Sequence, residues 1–154
     1  MLKLKRILLA SHGTDGARAA EKLALSLARS GTELHHLVVV PDFWKGMMGD
    51  DWLNNAATRE IYGRYVESEL AKEIRRNIRR LQKESVRKRI RYHPEIVQGK
   101  PTDCLVASAA RDGADLVVIG SPRPKGKVGL RSRMQVDELA RALKAPLLIV
   151  PYPR

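Results

Sequence analysis

Short apolar runs alternate along this chain with segments of helical period, and that alternation restricts the fold more than any other feature. Leu4 to Ser11 (LKRILLAS), Leu34 to Val40 (LHHLVVV), Asp115 to Ser121 (DLVVIGS) and Pro146 to Val150 (PLLIV) have the length of strands. Their apolar cores are nearly continuous, as expected of strands covered on both faces. A further run, Ile90 to Val97, is interrupted by Pro94, which cannot donate to a ladder and so predicts an edge strand. Between them, Ala20, Leu23, Ala24, Leu27 and Ala28 recur at helical spacing until Gly31, and Tyr62, Val66, Leu70, Ile74, Ile78 and Leu81 mark one buried stripe of a long helix from Thr58 to Arg87. Pro101 opens another helix that reaches Gly113, and Val136, Leu139, Ala140 and Leu143 mark the last. Strands separated by helices pair in parallel through right-handed crossovers. The predicted fold is therefore α/β, a doubly wound five-stranded parallel sheet with helices on both faces, as a single domain over residues 1–154. Ligands in such sheets bind at the carboxyl ends of the strands, where strand order reverses.

The 154 residues are enough to bury a core without metals or disulfides, and the single cysteine, Cys104, fits a reducing compartment. Ile7 to Ala10 is too short for a signal segment, and no stretch approaches the roughly 20 apolar residues of a membrane helix. The expectation is a cytoplasmic protein. The charge is unusual: 29 Lys and Arg against 17 Asp and Glu give a net +12. Such a surface attracts polyanions whatever the fold beneath it.

Three segments carry a family resemblance. The opening ILLASHGTDGARAAEKLALSLA, the middle IVQGKPTDCLVASAARDGADLVVIGS and the closing ALKAPLLIV, in that order and spacing, resemble the universal stress protein family. The resemblance implies strand order 3-2-1-4-5, an architecture like that of the adenine nucleotide alpha hydrolases, and a crevice between strands 1 and 4. It also implies dimerisation. Strand five, Leu147, Leu148, Ile149 and Val150, is apolar and uncharged, so it is the edge expected to pair two copies. Candidate crevice residues are Ala10, Ser11 and His12 at the end of strand one, Val40 at the end of strand two, and Ile119, Gly120 and Ser121 at the end of strand four.

Nucleotide-binding members of the family carry Gly, two residues, Gly, nine residues, then Gly followed by Ser or Thr, so that backbone N–H groups can approach phosphate. Here Gly120 is followed at those spacings by Arg123 and by Arg133-Met134, and His12 replaces the acidic residue that would meet the ribose. Four of five diagnostic positions depart from the pattern, which argues against the adenine nucleotide (ATP, ADP or AMP) that the resemblance implies as cofactor. Ser132 lies one residue out of step. In place of the glycines, Arg123, Lys125, Lys127, Arg131 and Arg133 put five cations and no acid into eleven residues, able to hold phosphate as charged donors; the alternative is a solvated basic loop. His12 is open to two readings, a crevice contact or a surface histidine at a strand end.

Other features point less sharply. His35 and His36 are adjacent on one strand, face opposite ways and cannot chelate one metal together. His93 reads as a strand-edge residue, Cys104 as a buried or half-buried helix residue, and Trp44, Met47, Met48 and Trp52 as a flap or partner-contact segment. No metal site is expected. From Lys72 to Arg91 there are ten Lys or Arg against two Glu; Arg75, Arg76, Arg79 and Arg80 are candidates for polyanion contact, with a solvated face adding little to stability as the alternative. Ser11 to Gly16 resembles the SGGxDS loop of ATP pyrophosphatases but lacks its second glycine and final serine, and no nucleophile–base pair at diagnostic spacing appears. Three functions follow, in order: a stress-response or signalling module binding a nucleotide or small anion, a basic interaction protein binding nucleic acid or an acidic partner, and an ATP-using enzyme.

Overall fold

The computed structural model describes residues 4–11, 15–40, 56–121 and 135–153. In chain order the elements are β1 (Arg6–Ala10), α1 (Asp15–Leu27), β2 (Glu33–Val40), α2 (Ala56–Lys88), β3 (Arg91–Gln98), α3 (Pro101–Asp112), β4 (Leu116–Gly120), α4 (Val136–Ala142) and β5 (Leu147–Val150). The five strands form one parallel sheet in the order β3-β2-β1-β4-β5, as expected. Element ends differ from the sequence reading by one or two residues at most places, the usual uncertainty where helices fray and ladders stop.

Alternation along the strands divides the core in two. On one face Ile7, Leu9, Leu34, Leu116, Val118 and Val150 pack with Ala20, Ala24 and Leu25 of α1 and Leu81 of α2. On the other, Leu8, Leu37, Val117 and Ile119 pack with Leu105 and Ala109 of α3 and Leu139 of α4. β1 and β4 lie at the centre, which is why their apolar runs show no polar alternation.

β3 is an edge strand, and Pro94 stands within it opposite His36. The strand begins one residue later than the apolar pattern suggested, because Ile90 is the hinge into it: buried in the first core, it donates its N–H to Ser85 O at 2.9 Å. Arg89, just before, has φ 59. α3 opens with Pro at its first turn and closes on Gly113 in the left-handed conformation, φ 64, whose N–H caps the carbonyl of Ala109. Among the described residues no helix is long and apolar enough to cross a membrane.

Candidate functional site

Strand order reverses at β1, whose neighbours are β2 on one side and β4 on the other. Ile7, Leu8 and Leu9 pair with Leu116, Val117 and Val118, so Ala10 and Ser11 emerge beside Ile119 and Gly120 at one carboxyl edge. α3 runs from this edge back toward the other, and its N-terminus therefore faces the same side. There Thr102 Oγ1 accepts the Gln135 N–H at 3.0 Å, tying the start of α3 to the start of α4. The first turn of α3 also carries Asp103, which already complements the helix dipole.

The predicted crevice residues differ in how open they are. Ile119 is 3% exposed and belongs to the second core, with Ala10 packed against it. Gly120 and Ser121 are half-buried at the end of β4, and Ser121 N donates to Val150 O at 2.8 Å. The backbone of Val40 pairs with Gln98 at the end of β2. His12, Arg123, Lys125, Lys127, Arg131, Ser132 and Arg133 lie outside the described residues, as do Trp44, Met47, Met48 and Trp52.

Ser11 turns its side chain inward, and what it meets was not foreseen. Its hydroxyl donates to Glu21, a carboxylate with 0% exposure on α1. Asn77 of α2 donates to the same Glu21 oxygen at 2.8 Å, and the Arg80 guanidinium approaches the second oxygen at 2.5 Å and also bonds Asn77. A buried carboxylate thus sits behind the end of β1, satisfied by Ser11 and by two side chains of α2. This corrects the expectation that Arg80 belongs to a solvated face. Arg75, Arg76 and Arg79 are exposed as predicted, but Arg80 reaches over the edge of α2 to close an ion pair whose carboxylate side chain is 1% exposed. The signal was available in spacing: Glu21 falls in step with Ala17, Ala20, Ala24 and Leu25, and Asn77 in step with Ile74 and Leu81.

Next to this cluster, His36 and Tyr92 share a hydrogen bond of 2.5 Å between Nδ1 and the hydroxyl. Burial holds the His36 imidazolium far below its ordinary range, at about 4, partly opposed by the nearby Glu21 charge. Burial likewise raises the Tyr92 phenol. His35 points to the opposite face as expected, stacking on His93 with ring centroids 4.9 Å apart. Its Nδ1 lies 3.6 Å from Asp112 and its Nε2 3.8 Å from Glu33. Among the described residues no group of His, Cys, Asp and Glu is arranged to hold a metal ion. Cys104 is half-buried on α3, and burial raises its thiol.

A parallel sheet in the order 3-2-1-4-5 with helices packed on both faces is a doubly wound α/β fold. The sequence profile of the universal stress protein family matches residues 3–151. The chain belongs to the universal stress protein family. No curated protein matches the sequence. Solved structures share the fold at low identity. The universal stress protein UspA from Lactobacillus plantarum is 20% identical with a TM-score of 0.68, covering 96% of this chain and 98% of its own. A universal stress protein family protein from Arabidopsis thaliana with AMP bound is 13% identical, with a TM-score of 0.64 and coverage of 97% and 92%. A universal stress protein in complex with cAMP is 18% identical, with a TM-score of 0.55 and coverage of 97% and 98%.

Proposed function

We propose that this protein is a cytoplasmic stress-response or signalling module that binds a nucleotide or another small anion in the crevice between β1 and β4, as a homodimer paired through β5. The observation that carries this reading is the reversal of strand order at β1, which leaves the carboxyl ends of β1 and β4 and the start of α3 on one edge. The AMP and cAMP complexes of two relatives support a nucleotide as the class of ligand. The sequence after β4 shapes the expected affinity. With Arg123 and Arg133-Met134 where the nucleotide-binding pattern has glycines and a hydroxyl, phosphate must be held by side-chain cations rather than by closely approaching backbone.

Adenine nucleotides are therefore expected to bind weakly, with an affinity that falls steeply as salt is raised. A thermal-shift screen of ATP, ADP, AMP, cyclic dinucleotides and polyphosphate, repeated at low and high salt, tests this. A stabilising ligand whose effect is lost in Arg123→Gln/Arg133→Gln supports the reading. Tight ATP binding that is indifferent to salt would overturn the assignment of the cations, and no response to any of these anions would overturn the crevice as a binding site.

A further inference from the structure

The outer face of α2 concentrates positive charge that the crevice does not use. At 100° per residue, the buried Ile74, Asn77, Leu81 and Ser85 define the inward side of this helix. Arg76, Arg79 and Lys83 fall within about 30° of the opposite direction and Arg75 within about 70°. All four are exposed. Of the other cations in the run, Arg80 turns inward to Glu21, Arg87 pairs with Glu84 at 2.5 Å, and Lys88 donates to the carbonyl of Leu25. Arg75, Arg76, Arg79 and Lys83 have no acidic partner among the described residues. The acids of this stretch, Glu73 and Glu84, lie on the flanks of the helix, outside the cationic arc.

A face that serves only solubility usually mixes signs at three- and four-residue spacing, because like charges at those spacings repel and opposite ones attract. Arg75 and Arg79, Arg76 and Arg79, and Arg79 and Lys83 all stand at these separations, and of the four only Arg76 has an acid, Glu73, at such a spacing. We infer that this face docks the phosphate backbone of a nucleic-acid duplex. The four cations extend about 12 Å along the helix, a length over which duplex DNA presents about seven phosphate charges. No aromatic residue occurs between Lys72 and Arg91 to stack on bases, so contact is with the backbone and independent of sequence. Because α2 runs antiparallel to the strands, this half of it leads away from the carboxyl-edge crevice. The inference stands whether or not the crevice binds a nucleotide.

The test is fluorescence anisotropy with a mixed-sequence DNA duplex of about 20 base pairs over a salt series. Wild-type protein is expected to bind with a steep negative slope of log K against log salt. R75Q/R76Q/R79Q/K83Q should reduce that slope by about 3 to 4, and weaken binding more than tenfold at about 50 mM salt. The single variant R79Q, which removes one exposed side chain, should reduce the slope by about 1. K22Q/K100Q/R141Q/K144Q removes equal charge from exposed positions elsewhere and should change the slope by less than about 1. Equal losses in the two quadruple variants would show that net charge alone binds, and would overturn the assignment to α2. Absence of wild-type binding at low salt would do the same. If poly-glutamate displaces the duplex at equal charge concentration, the face fits an acidic protein and the nucleic-acid assignment falls.

Discussion

Glu21 is the residue whose setting most changes how the protein is understood. A carboxylate with no exposed surface is stable only if its lone pairs are filled and its charge is opposed. Ser11 and Asn77 fill them, and Arg80 opposes the charge while keeping 49% of its own side chain in water. Arg80→Gln should therefore strand a buried charge and cost about 2 kcal/mol, less than for a fully buried pair because the guanidinium is half solvated. Arg79→Gln, one residue away and exposed, should change stability by less than about 0.5 kcal/mol. Urea denaturation of the two variants checks the contrast, and adding Glu21→Gln to Arg80→Gln should recover part of the loss. Equal stability of the two single variants would show that the pair contributes nothing. His36 makes a second residue-scale prediction. Its folded-state value of about 4 lies below the ordinary 6.5, so the unfolded chain takes up a proton that the fold refuses. Stability is complete above about pH 6.5 and declines as the pH falls toward 4, by on the order of 3 kcal/mol at the lower end. His36→Gln keeps a hydrogen-bonding group for Tyr92 and removes the titration. Denaturation midpoints between pH 7 and 4 should fall less steeply in that variant, and parallel slopes would remove His36 as the cause.

The two sheet edges are protected differently, and that difference is a property of elements. β3 carries Pro94 within the ladder and charged or polar residues at Arg91, His93, Glu95 and Gln98, so its free edge is a poor template for another strand. β5 carries no charge. Leu147 and Leu148 are half-buried and Ile149 is 36% exposed, leaving apolar surface beside an unpaired ladder. Pairing of two copies through this edge would cover it. Ile149→Lys is expected to shift the solution mass of a micromolar sample from dimer to monomer with little loss of monomer stability, since the side chain already meets solvent. Mass measured across a dilution series decides the matter. A monomeric wild type, or a lysine variant that dimerises equally well, would rule this edge out.

Across the whole molecule, much of the architecture was legible because burial leaves a local trace. A strand covered on both faces must be apolar at successive positions, as ILLA and LVVIG are, and a helix packed on one side must repeat its apolar residues every three or four. From those periods alone came the strands, the helices, the parallel pairing and Pro94 at an edge; the order of the strands came with the family resemblance. The same periods placed Glu21 and Asn77 on inward faces without revealing what they do there. Their meeting joins residues 56 positions apart, and Asn77 lies 66 positions from Ser11. Only the return of α2 across the sheet brings them together. Tertiary structure likewise separated Arg80 from Arg75, Arg76 and Arg79, cations that are alike in sequence. One lies at the margin of the helix face, within reach of a buried carboxylate, and the others point into water. Periodicity determines which side of an element is buried; partners for the polar groups on that side depend on contacts between elements distant in the chain, which no local pattern records.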